Sequence, residues 1–200
     1  LFFNYNKTIM NIKELAEALK LLSKLDEFKN IKRHSLVKGR KLRENDAEHT
    51  WHLAMWALII LPLLKRKYNS EKILKMILIH DLPEIYSGDV LTFKKDHNHK
   101  KEEIKGAGKI FGMFPKKISK DYLNLWLEME KGKTKEAKLV KAMDKLQPIL
   151  QNINTKGKLW KKLKIDFNKI DNHKRSHMEF DKEIFLIYKN LMGKAKKYLK

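Results

Sequence analysis

Cysteine is absent from this chain, which excludes disulfide bridges and leaves imidazole and carboxylate as the ligands it can offer a metal. Turn formers are scarce: eight Gly and four Pro in 200 residues give too few chain reversals for an all-β fold. Long apolar runs are missing too. None approaches the roughly 18 residues needed to span a bilayer, and Leu1 to Met10 lacks the basic-then-apolar order of a secretory leader. A soluble, cytoplasmic protein is expected. Acids are outnumbered, with 24 Asp+Glu against 45 Lys+Arg, so the net charge is +21. Arginine itself is rare, at positions 33, 40, 43, 66 and 175 only.

A hydrophobic share of 42% over 200 residues is enough for one substantial core. Abundant Lys, Leu, Glu, Ala and Met favour helices. The expectation is one compact all-α domain over 1–200. The positive charge would attract polyanions across a Debye length of about 8 Å. Its carrier, however, is lysine spread along the whole chain, whereas arginine is the residue suited to bidentate phosphate and base contacts. That pattern describes a solvated surface that helps an anionic small molecule, and makes nucleic acid the lesser expectation for a partner.

Apolar spacing places the helices. Ile12, Leu15, Ala16, Leu19, Leu22 and Leu25 mark an amphipathic helix over 11–29, expected to cover the core from outside. Residues 33–46, basic and broken by Gly39, read as a loop, with Asn45 or Asp46 as a helix cap. A broadly apolar central helix spans 47–67. Ser70 caps the next, whose buried face carries Ile73, Leu74, Ile77, Leu78 and Asp81 and which runs to Gly88. Helices follow over 100–111, 119–131 and 134–154. Residues 158–200 hold two amphipathic candidates, 159–170 and 180–198, without recognisable chemistry; 96–99 reads as an exposed loop.

Within this frame, His80 and Asp81 close an apolar run, with Glu84 four and three residues on, which is one helical face. His49 lies upstream. Asp144 sits among apolar neighbours at Val140, Met143 and Leu146, where an acid requires a partner or a metal. A divalent cation would neutralise carboxylates that are costly to desolvate; hydrogen-bonded structural histidines are the competing reading. His52, His97 and His99 fit packed or surface positions better, and Trp51, Trp56, Trp126 and Trp160 fit core packing.

The successive segments Ala47-Glu48-His49, His80-Asp81-Leu82-Pro83-Glu84, Gly88-Asp89 and Glu136 to Asp144 resemble the ordered motifs of the HD-domain superfamily, most closely the YfbR-like 5′-deoxynucleotidases. The resemblance covers about 30–154. It implies that His49, His80, Asp81 and Asp144 ligate one divalent ion, Mn²⁺, Co²⁺ or similar. It also implies that Asp81 and Glu84 serve catalysis, with Glu84 moving a proton, and that Asp89 lies beside the sugar 3′-hydroxyl. Arg33 is the positional match to the family's phosphate-binding arginine, with Arg40 and Arg43 as substitutes. The next residue is Trp in YfbR-like members and His34 here, so exclusion of a 2′-hydroxyl is expected to weaken.

The implied activity is metal-dependent removal of phosphate from a (deoxy)ribonucleoside 5′-monophosphate by a homodimer. Hydrolysis of a cyclic dinucleotide or alarmone is the alternative within the same chemistry, since one fold hosts many substrates. A basic nucleic-acid-binding module with a structural metal is the alternative outside it.

Overall fold

A computed structural model describes residues 11–39, 41–91 and 97–199 of the chain. Ten α-helices and one small hairpin make up its regular structure, together with short 3₁₀ turns. The first helix, α1 (Ile12–Leu25), is capped by the Asn11 side chain, which accepts from Lys13 N–H. Its apolar stripe does not cover the core as expected. Leu21 is its only buried residue, while Ile12, Leu15, Leu19 and Leu22 are exposed.

The segment expected as a loop contains an antiparallel hairpin, β1 (Lys32–Leu36) and β2 (Arg43–Asn45), with Lys32 opposite Asn45 and Leu36 opposite Arg43. The sequence hid it because neither strand is long enough to show a two-residue period. Asn45 then caps α2 (Asp46–Ile60) in a capping box: its side chain accepts from Glu48 N–H at 2.8 Å, and the Glu48 carboxylate accepts from Asn45 N–H at 2.9 Å. Asp46, the other candidate cap, is instead the first helical residue and is fully buried.

Asn69, not Ser70, caps α3 (Ser70–Ile79), because its carboxamide reaches Lys72 N–H. The apolar run expected to continue as one helix to Gly88 breaks at His80. Pro83 disfavours helical geometry at Leu82 and cannot donate to the preceding turn, so the chain makes a tight turn and resumes as α4 (Glu84–Ser87), closed by Gly88 at φ 72°. Next come α5 (His97–Gly112), α6 (Lys116–Lys131), which ends at left-handed Gly132, and α7 (Lys135–Asn154), capped by Thr134. His97 and His99 thus open a helix instead of lying in a loop, and His99 pairs with Glu103 at 3.1 Å.

The expected helix over 159–170 is two pieces, α8 (Lys158–Lys162) and α9 (Phe167–Lys174), separated by Lys164 at positive φ and restarted by the Asp166 cap. The last helix, α10 (Lys182–Ala195), is capped twice by Asp181. The core is centred on α7, whose Leu139, Val140, Met143, Leu146 and Ile149 are buried against Leu53 and Ala57 of α2, Ile73, Met76 and Ile77 of α3, and Tyr188 of α10. Each such aliphatic side chain contributes about 1.5–3 kcal/mol by leaving water. Burying one face of α7 so completely fixes the heights of its polar positions, 144, 147 and 151. No helix among the described residues is long and apolar enough to cross a membrane.

Candidate metal centre

Four elements meet at one point. The first turn of α2 supplies Asp46 and His49, the turn after α3 supplies His80 and Asp81, α4 opens with Glu84, and mid-α7 supplies Asp144. The break at His80 turns what would have been one helical face into a corner, and convergence of the acids comes from packing, not from helical spacing. Trp126 of α6 secures the corner by donating its indole N–H to the freed His80 carbonyl at 3.0 Å. It is the indole that lines the cleft, whereas Trp51 is 66% exposed and not a core residue.

The protonation of both imidazoles is set by their outer nitrogens. Two glutamine amides, Gln147 and Gln151, donate to Glu44 Oε1 at 3.0 Å each. That bond directs Gln147 Oε1 toward His49, whose Nδ1–H donates to it at 3.2 Å. His80 Nδ1 donates to the Ile77 carbonyl at 2.7 Å. Both Nε2 atoms therefore face inward. His49 Nε2 lies 3.1 Å from Asp144 Oδ1, and His80 Nε2 lies 2.9 Å from Asp81 Oδ2 and 4.0 Å from Asp144 Oδ1. His80 Nε2 is buried and makes no well-formed hydrogen bond. Lone pairs facing carboxylates repel unless a proton or a metal cation lies between them.

His49, His80 and Asp144 each bring a ligand atom within 4.8 Å of the other two, so the donor set fits a divalent cation. Burial above all, helped by Arg33, pushes His49 down to about 4, which leaves the ring neutral as a ligand must be. His80 is held up at about 9 because Asp81 outweighs its burial. Burial also works against the charge of Asp81, but His80 and Arg33 prevail and hold its carboxyl below the usual range.

A second acidic group, Asp46, Asp81 and Glu84, adjoins the first. Arg33 threads it: its Nη1 lies 2.7 Å from Asp81 Oδ2 and 3.1 Å from Asp46 Oδ1, with Asp144 4.0 Å from Nη2 and Glu44 3.9 Å from Nε. Of the three candidate arginines, Arg33 is the one at the site; Arg43 is exposed and Arg40 lies outside the described residues. Desolvation, then Asp81 and Asp46, push Glu84 well above the ordinary carboxylate range. Sequence reasoning missed Glu44 and the buried state of Asp46, both raised to about 7, chiefly by burial. The signal was available as three acids, Glu44, Asp46 and Glu48, packed around the start of a helix in an acid-poor chain. His52 stands outside the centre and accepts from Gln147 Nε2 at 3.0 Å.

Two clefts open on this centre. One, of about 220 Å³, is lined by Arg33, Asp81, Glu84, Asp89, Trp126 and Asp144 among others. The other, of about 100 Å³, shares Arg33, Asp89, Asp144 and Lys145 and adds His34 and Lys174. Asp89 thus lines both clefts and His34 the smaller one. Lys174, in the stretch expected to carry no chemistry, is a wall of the second cleft.

Comparison with known proteins bears on this geometry. The model of the HD domain matches residues 25–184, well past the end of the motif-bearing stretch. The solved structure of a predicted metal-dependent phosphohydrolase from Magnetospirillum magnetotacticum is 31% identical, with a TM-score of 0.85 over 93% of this chain and 98% of that one. A 5′-deoxynucleotidase of Danio rerio is 31% identical over 66% of this chain and 66% of its own length, just under two thirds of that protein. A 5′-deoxynucleotidase of Pasteurella multocida is 31% identical over 67% of this chain and 76% of its own.

Proposed function

Because the chain belongs to the HD-domain family, we propose that it is a metal-dependent phosphohydrolase that converts nucleoside 5′-monophosphates, deoxyribonucleotides first among them, to nucleoside and phosphate. The observation that carries this reading is the pair of imidazoles tied back through Nδ1, with both Nε2 atoms turned on carboxylates beside an arginine and an open cleft. Relatives named 5′-deoxynucleotidases support the substrate class.

In this reading His49, His80, Asp81 and Asp144 hold one divalent ion, Mn²⁺ or Co²⁺ being suited to two nitrogen and two oxygen donors. When bound, such an ion supplies an acidified water and charge neutralisation at a phosphoryl oxygen. Glu84, kept protonated by its burial and by neighbouring acids, delivers a proton to the departing 5′-oxygen. Arg33, fixed by Asp46 and Asp81, presents its remaining guanidinium face to the phosphate. Asp89 takes the sugar 3′-hydroxyl, and His34 faces the 2′ position.

We further assign a homodimer and a cytoplasmic location. The dimer is supported by the exposed apolar stripe of α1, Ile12, Leu15, Leu19 and Leu22, which a second copy would cover. Light scattering on wild type and Leu19→Lys tests it, with a dimer expected for the first and a monomer for the second.

The test of activity is phosphate release from ribo- and deoxyribonucleoside 5′-monophosphates, 3′-monophosphates and cyclic dinucleotides with Mn²⁺, Co²⁺ and Mg²⁺. Release from the 5′-monophosphates alone is expected; release confined to cyclic dinucleotides would overturn the substrate assignment.

A further inference from the structure

We propose that Lys174, carried by α9 from the C-terminal part of the chain, is a second phosphate-binding cation that acts with Lys145 across the smaller cleft from Arg33. The inference rests on the nucleotidase reading for the identity of its anion, but its geometry stands on its own.

Arg33 is heavily committed. Its Nη1 serves both Asp46 and Asp81, so much of its charge is already balanced by carboxylates. A phosphate monoester carries about −1.5 to −2 at neutral pH and calls for further donors. The cleft wall next to Asp144 supplies them.

Lys174 Nζ donates to the Lys145 carbonyl at 2.9 Å. An ammonium has three N–H donors, and among the described residues no carboxylate lies within ion-pairing distance of this one. Its charged neighbours include Lys145, whose own Nζ lies 3.9 Å from Asp144 Oδ2. Two lysines and an arginine thus border a cleft of about 100 Å³ beside the metal ligands. Set against Asp89 and Asp144 on the same wall, these three cations leave a surplus of positive charge that an entering anion would balance. Burial and then Lys145 push Lys174 down to about 7.

The placement is built into α7. Pro148 sits inside that helix and lacks the N–H that would bond the Asp144 carbonyl one turn back. The Asp144 carbonyl is thereby freed, and the next one along, that of Lys145, accepts from Lys174 Nζ. The carbonyl anchors Lys174 next to Asp144, and among the described residues no other hydrogen bond occupies its ammonium.

Titration calorimetry of inorganic phosphate into Mn²⁺-loaded wild type, Lys174→Gln, Lys174→Met and Lys174→Arg tests the proposal, alongside metal content, thermal stability and the KM and kcat for dAMP. One charge-assisted contact predicts phosphate binding weakened on the order of tenfold in the Gln and Met variants. KM for dAMP should rise similarly, kcat should change less, metal content should hold, and Arg should restore most of the affinity. The Met variant keeps the buried stem should Gln impair folding. Unchanged phosphate affinity in Gln and Met, or equal losses in all three variants, would overturn it. Lys174-dependent phosphate binding in a protein that releases no phosphate from any nucleoside 5′-monophosphate would sink the nucleotidase reading and leave this inference standing.

Discussion

The Nδ1–H of His49 donates to Gln147 Oε1 at 3.2 Å, and the same glutamine is held by Glu44 at 3.0 Å. A buried acid thereby fixes, through one amide, which nitrogen of the imidazole is left to face Asp144. Replacing Gln147 by Leu removes the relay while preserving most of the volume. Divalent-ion affinity measured by calorimetry should fall about 10–100-fold, the usual cost of losing a partner behind a ligand. Gln147→Glu, which can still accept from Nδ1–H, should lose less.

Asp81 faces both His80 Nε2 and Arg33 Nη1, at 2.9 and 2.7 Å. Asp81→Ala should remove metal from the purified protein and abolish metal-dependent phosphate release, and chelation of the wild type should do the same reversibly. Metal analysis together with turnover checks this, and full activity in the variant would refute the ligand assignment.

Proton transfer and ion binding separate at Glu84. Glu84→Gln should lower kcat by about 10²–10⁴-fold with metal content and KM for dAMP nearly unchanged. If metal is lost in parallel, Glu84 belongs to the ligand set instead.

His34 stands where the resembling nucleotidases carry Trp, and it borders the smaller cleft. Trp51, on α2, lies outside both clefts and is exposed, so it cannot substitute as a gate. Wild-type efficiencies for AMP and dAMP should lie within about tenfold, and His34→Trp should widen the preference for dAMP toward the ~10² that steric exclusion of one hydroxyl allows. Steady-state kinetics on both nucleotides decide it; a large preference unchanged by the substitution would remove His34 from selectivity.

Gly106 of α5 backs the corner that carries His80 and Asp81. A Cβ there would meet the Pro83 carbonyl oxygen at 2.7 Å, whereas one at Gly108 meets nothing within 4 Å. Alanine normally improves a helix by roughly 1 kcal/mol over glycine. Gly108→Ala should therefore stabilise the protein, while Gly106→Ala should destabilise it by about 1–2 kcal/mol as overpacking outweighs propensity. Denaturant melts of the pair check the opposite signs.

Much of this was legible in the chain itself. The apolar periods that define α2, α3 and α7 are long, and Asn and Thr caps precede several helices, so composition and spacing alone fix a helical protein with His49, His80, Asp81 and Asp144 at helix ends or on a buried face. The ordered motifs then single out those residues. Their presence in one place follows from burial, because the apolar face of α7 packed in the core fixes where Asp144 stands.

Other features are decided only by tertiary packing. The same lysine-rich composition covers Lys174 and dozens of exposed lysines, and only the fold of α8 and α9 back onto α7 sets one beside Asp144. Arg33 and Arg43 are equivalent as residues of a short basic segment, and the hairpin turns one into the centre and the other to solvent. The corner at His80 needs Pro83, Trp126 and Gly106, three residues far apart in the chain or without local signal, to act together. Local sequence determines which conformation each segment prefers, whereas the neighbour of a charged group is set by contacts between segments that have no sequence period to announce them.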